Sequence, residues 1–153
     1  MKKVLTLVSA LSMVAGSAVA SDYSWGEQDP TSPALKPTTD GLSYNVASRT
    51  YSFAVSAKDK VTIYAVNNSA SDKEKIVFDG GAEYFVDKGS SNVIQHSVTA
   101  AGTITVQIGA DIVVTGIHVE SQDYRDGKAA LESAKTALNK ANEKTAHFAT
   151  DKD

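Results

Sequence analysis

Cysteine is absent from the 153 residues. That removes disulfides, thiol nucleophiles and cysteine-bound metal sites, so stability has to come from a packed core, an ion or assembly. Proline occurs three times, and all three lie between positions 30 and 37, leaving the rest of the chain free of its strongest breaker. There is one tryptophan, Trp25. An excess of positive charge is also missing: 15 basic groups stand against 18 acidic ones. Nucleic acids and anionic membranes need a basic footprint, so this balance argues against both as partners. Sequence patterns for a nucleotide loop, a GxSxG elbow, an HExxH helix or a Rossmann turn do not occur. Carboxylates are plentiful, but no sequence context marks a pair for acid–base work. The chain reads as noncatalytic.

What is present begins with an export signal. Lys2 and Lys3 precede the apolar stretch Val4 to Val14, and Ala18-Val19-Ala20 supplies small residues before Ser21. Residues 1–20 are therefore expected to be a signal peptide, placing the protein in the periplasm or outside the cell. Thr6, Ser9, Ser12, Gly16 and Ser17 dilute the segment too much for stable membrane insertion. Cleavage removes two basic side chains and no acidic one, leaving 13 positive against 18 negative groups.

Residues 21–38, rich in Ser, Thr, Asp and Pro, are expected to form an extended or irregular lead-in. From Gly41 to Gln122 the period is two. LSYNV (42–46), TYSFAVS (50–56), KVTIYAV (60–66), EKIVF (74–78), YFVDK (84–88), NVIQHSVT (92–99), TITVQIG (103–109) and DIVVTGIHVE (111–120) are separated by turn-formers. Short strands at this spacing predict an antiparallel sandwich or barrel over residues 39–122, of which the sandwich is the reading adopted. Ile104, Val106 and Ile108 share one face, as do Val61, Ile63 and Ala65. In the last strand Val113, Thr115, Ile117 and Val119 are expected inward, leaving His118 outward beside Glu120. His96 shares a phase with Ile94 and Val98 and is expected as a hydrogen-bonded core histidine.

After Tyr124 the grammar changes. Leu131, Ala134, Leu138 and Ala141 recur at helical spacing in DGKAALESAKTALNKANEKTAHF (126–148), among strong helix formers. Residues 123–153 are expected to be a helix and tail, acting as a spacer, packing on the sandwich or meeting a protein partner.

Three kinds of ligand come into question for such a chain. The histidines lack metal-ligand spacing, so no metal residue is assigned. Loops at Asp79 and Asp111 carry oxygen donors of the sort a structural calcium uses, but no twelve-residue EF-hand pattern occurs. No cofactor is expected. Saccharides are held by flat aromatic faces and by planar amide or charged groups, which gather on loops of a rigid scaffold. Trp25, Asn67, Asn68, Lys73 and Tyr84 are the candidate ligand-binding residues, although Trp25 reads equally as a plug for one end of the core. Asn67-Asn68-Ser69 reads equally as an ordinary turn.

The order TDGLSYN, KVTIYAVNNSASDKEKIVF and TAAGTITVQIGADIVVTGIHVE resembles the accessory β-sandwich of secreted bacterial pectate lyases and related polysaccharide-degrading proteins. The resemblance runs from about Thr39 to Glu120. It implies a jelly-roll-like, galactose-binding-like sandwich that helps an enzyme recognise polysaccharide or oligosaccharide. In that family the loop carries an arginine; here Asp72-Lys73-Glu74-Lys75 stands in its place, and lysine acts as a point charge rather than a bidentate fork. The alternative is a structural or adhesive surface subunit assembling through edge strands.

Overall fold

The computed structural model describes residues 22–36, 41–72 and 74–150. The expected signal peptide lies outside the described residues. Among the described residues nine strands form: β1 Asp22–Gly26, β2 Leu42–Asn45, β3 Thr50–Val55, β4 Lys60–Asn67, β5 Lys75–Phe78, β6 Glu83–Phe85, β7 Ser91–Ser97, β8 Gly102–Ile108 and β9 Ile112–Glu120. The sequence-expected strands all appear, with ends moved by a few residues.

They make two antiparallel sheets, one ordered β1-β9-β4-β7 and the other β2-β3-β8-β5-β6. Pairs β1–β9, β4–β7, β3–β8 and β5–β6 nest across the chain, with successive strands crossing between sheets. That is jelly-roll connectivity, with β2 added as a hairpin partner of β3. The alternating apolar residues meet between the layers. Val61, Ile63, Ala65, Ile94, Ile117 and Val119 come from the four-stranded sheet, and Phe53, Ile76, Phe78, Val106 and Ile108 from the other. Each of the Val, Ile and Phe side chains contributes roughly 1.5–3 kcal/mol through burial.

Two expectations need correction. Residues 22–26 are not irregular: they form edge strand β1, in register Asp22↔Glu120 to Gly26↔Gly116 against β9. Trp25 enters the core from this strand at 9% exposure, its ring 5.4 Å from that of Phe53. The free edge of β9 and the burial of one large indole outweigh the turn-rich composition around it. Second, the inward phase of β9 does not run unbroken. Tyr64 pairs with Gly116 but Ala65 pairs with Val114, so Thr115 is an extra residue in the ladder. This bulge flips the phase. Ile112 and Val114 are buried before it, Ile117 and Val119 after it, while Val113 turns to the outer face. Thr115, fully buried, donates its hydroxyl to the carbonyl of Tyr64 at 3.2 Å.

The helix α1, Gln122–Thr150, starts four residues earlier than the periodicity suggests. Asp123 lies in its first turn, where a carboxylate meets the positive end of the helix dipole. Glu132 accepts from Lys135 at 2.7 Å, and its carbonyl accepts from the Thr136 hydroxyl.

Candidate functional site

The polar insert after β4 is fastened by its first residue. Asn67 is fully buried, and its carboxamide donates to the carbonyls of Val86 (2.8 Å) and Ser71 (3.0 Å) and accepts from the Ser69 amide (2.8 Å). Ser69 and Ser71 close the knot through the Ser69 hydroxyl. The sequence reading of Asn67 as a ligand contact is therefore corrected: all of its polar capacity but one lone pair goes into the turn, and no surface is left for a ligand. The turn reading of Asn67-Asn68-Ser69 stands, and Asn67 is what holds it.

Asn68, the next residue, is exposed. Its amide donates to the Asp111 carbonyl at 3.0 Å, tying it to the β8–β9 turn. Arg49 braces that turn from below, its guanidinium donating to Gly109 O at 2.8 Å and Ile108 O at 3.3 Å. Asn68 thus stands on a rigid support beside a cavity of about 350 Å³ on the outer face of the four-stranded sheet. Val66 and Val113 form its apolar floor, the latter because of the bulge at Thr115. Asn68, Ser90 and Ser91 border one side; Thr31 and Ser32 border the other.

The far rim is built by the lead-in. After β1, the Glu27 amide donates to the Thr115 carbonyl and the Leu35 amide to Val114 O, with Leu35 buried. Between these anchors Asp29 accepts from the amide and hydroxyl of Thr31, both at 2.8 Å, which holds its carboxyl below the usual carboxylate range. The Ser90 and Asn92 side chains knit the opposite rim to Asp87 O. The cavity therefore offers hydroxyls, one carboxamide and an aliphatic floor.

Of the residues expected from sequence that lie among the described residues, only Asn68 lines this cavity. Trp25 is in the core and is no stacking platform, a second correction with the burial of its ring as the reason. Tyr84 is half-buried on β6, its hydroxyl 3.0 Å from His96 Nδ1 and its ring edge-on to Phe78. Lys73 lies outside the described residues. Thr31, Ser32, Ser90 and Ser91 were missed. Single Ser and Thr residues carry little signal, and their convergence depends on the lead-in crossing a sheet far from it in sequence.

The fold also brings Asp22 to His118 and Glu120. Their donor atoms lie within 4.8 Å of one another, and His118 Nε2 meets Asp22 Oδ1. The outward position of His118 beside Glu120 is as the alternation predicts; the third group was invisible because it was assigned to irregular chain. His96 is hydrogen-bonded on the apolar side as expected, stacked on Phe78 at 4.1 Å, but it is half-buried rather than a core residue.

No family model and no curated protein matches the chain. Among solved structures it is similar to a peptidoglycan O-acetylesterase (14% identity, TM-score 0.41), covering 71% of this chain but only 32% of that one. It is also similar to a family 35 carbohydrate binding module from Clostridium thermocellum (12% identity, TM-score 0.36, covering 65% and 98% of the two chains). A family 35 module from an environmental isolate gives 16% identity, TM-score 0.36, and coverage of 71% and 91%. At these TM-scores the likeness carries nothing about ligand or activity.

Proposed function

We propose that the sandwich is an exported, noncatalytic carbohydrate-binding module that takes a sugar unit of a polysaccharide or oligosaccharide into the cavity beside Asn68. The observation that carries this reading is the pairing of an aliphatic floor, Val66 and Val113, with a rim of hydroxyls and one carboxamide. A pyranose presents the same alternation, C–H groups on its faces and hydroxyls around its edge. The volume suits a unit of about that size, at the small end of the usual range of roughly 300–1,000 Å³ for ligand pockets. The rim is held by backbone-anchored turns, so little ordering cost is added on binding. With no aromatic side chain among the described residues that line the cavity, affinity rests on hydrogen bonds and a small apolar contact. Dissociation constants in the millimolar range follow, about 4 kcal/mol of binding free energy.

The family resemblance in the sequence supports the same reading and extends it to a helper role beside polysaccharide-degrading enzymes. The signal-like residues 1–20 support export to the periplasm or beyond. No helix among the described residues is long and apolar enough to cross a membrane. Affinity electrophoresis through gels containing plant or microbial polysaccharides tests the proposal. At least one polymer is expected to retard the protein, and Asn68→Ala is expected to run faster on that polymer. Free migration on every polymer removes the idea.

A second reading, assembly through edge strands, is favoured by Phe85. This residue sits on the three-residue edge strand β6 and is 62% exposed. A strand at the end of its sheet that carries an exposed apolar side chain is a template for another chain. Light scattering at high concentration distinguishes the readings, because a strict monomer rejects assembly.

A further inference from the structure

We infer that Asp22, His118 and Glu120 form a binding site for a divalent transition metal ion, zinc being the best fit, which pins edge strand β1 to β9. The register puts Asp22 directly opposite Glu120. In an antiparallel sheet such partners are neighbours on one face, and two carboxylates placed so repel each other. His118, opposite Ser24 in the register, lies diagonal to Asp22 on the same outward face and two residues before Glu120. Its side chain is 12% exposed and that of Asp22 31%, so the imidazole is held with Nε2 turned toward the Asp22 carboxylate rather than swinging in solvent.

The next strand supplies one charge to this face. Lys60 on β4 pairs in register with Glu120 from the other side. That lysine can balance Glu120, but it stands two strands from Asp22 at the sheet edge. A cation shared by all three donors turns the carboxylate–carboxylate repulsion into attraction at both.

The donor set selects the metal. One imidazole nitrogen and two carboxylate oxygens suit zinc and its neighbours, whereas calcium takes six to eight oxygens and no imidazole. Zinc holds such ligands at roughly 2.0–2.2 Å, which in a tetrahedral arrangement separates them by about 3.4 Å. The donors here are within 4.8 Å of one another. A shared ion requires the direct His118–Asp22 contact to open and the Glu120 carboxylate to swing toward it. Three protein ligands leave the fourth position to water. Because both strands must be paired for the donors to meet, binding adds to the stability of the folded sandwich. Its physical consequence is a metal staple on the strand that carries Trp25 and leads to the cavity rim. In a chain with no disulfide, such a staple would secure a strand at the edge of its sheet.

The test is calorimetric titration of the purified full chain with zinc chloride, together with the visible absorption of added cobalt(II). One ion is expected per chain, with a cobalt d–d band that zinc abolishes. Outer-shell partners alone change metal affinity about 10–100-fold, so losing a direct ligand is expected to cost at least that. Asp22→Asn and His118→Gln should each show it, and His118→Gln should also lose the band. His147→Gln, in the helix, should leave both readouts unchanged. Circular dichroism confirms that each variant is folded. Zinc should raise the melting temperature of the native protein and not of His118→Gln. Equal binding by the native protein and both variants overturns the proposal. So does absence of binding at millimolar zinc, which would leave a plain His118–Asp22 ion pair. Carbohydrate retardation is read separately, so failure of either idea leaves the other standing.

Discussion

Tyr84 and His96 join the two sheets along the side where both end. The Tyr84 hydroxyl on β6 and His96 Nδ1 on β7 are 3.0 Å apart, and the imidazole lies flat on Phe78 of β5 with ring centroids 4.1 Å apart. β6 and β7 are the last strands of their sheets. No backbone ladder can close that side, so this side-chain triad does.

Burial in the triad lowers the His96 pKa from its ordinary 6.5. The unfolded chain therefore takes up a proton at higher pH than the folded one, and stability must fall as pH drops from about 6.5 through the lowered value. The stabilising contribution is complete above that window and lost below it. Melting temperature measured from about pH 7.5 to 5 should decline in the native protein. In His96→Gln this part of the decline should disappear, although carboxylate titration at lower pH remains. An identical slope in both proteins would contradict the assignment.

Asn67 and Asn68 are neighbours with opposite duties. Asn67→Ala leaves the Val86 carbonyl without its side-chain donor in the interior. It should cost about 2–3 kcal/mol in urea unfolding, the cost of unsatisfied buried polar groups. Asn68→Ala removes an exposed side chain and should change stability by no more than about 0.5 kcal/mol. Glycan retardation should show the reverse sensitivity per unit of stability lost. Equal destabilisation by the two substitutions would contradict this division.

Gly116 is where the lead-in crosses the sheet. A Cβ there would stand 2.2 Å from the Glu27 carbonyl oxygen and 2.8 Å from its carbon, both backbone atoms that cannot swing away. Gly116→Ala should cost about 1–3 kcal/mol, as overpacking does. It should also lift the segment that carries Thr31 and Ser32. Limited proteolysis should cut between residues 27 and 36 faster in the variant. Unchanged cleavage and stability would show that the crossing is not held as described.

The alternation of Ile104, Val106 and Ile108 against Thr103, Thr105 and Gln107 made the strands and the sandwich legible from sequence, because one buried face dictates a period of two. The phase of β9 was readable only beyond Gly116, since a bulge depends on the partner strand and leaves no mark in local periodicity. β1 was hidden for a related reason. Its pairing is with a segment about 95 residues away, and Ser, Pro and Asp around it speak only for local conformation. Within the site the loop was identifiable but the roles were not. Asn67 and Asn68 differ by one step on the chain, and only the fold decides which turns inward. Trp25 drew attention as an aromatic near a segment end, whereas hydrophobic burial claimed it for the core.

The claim that the cavity beside Asn68 receives a sugar is tested most directly by amide chemical shifts. Nitrogen-15-labelled protein is titrated with oligosaccharides from whichever polymer retards it. Saturable shifts are predicted at Thr31, Asn68, Ser90 and Ser91, with the Trp25 indole undisturbed. Shifts centred instead on Tyr84 and β6, or no saturable shift with any glycan, would contradict it.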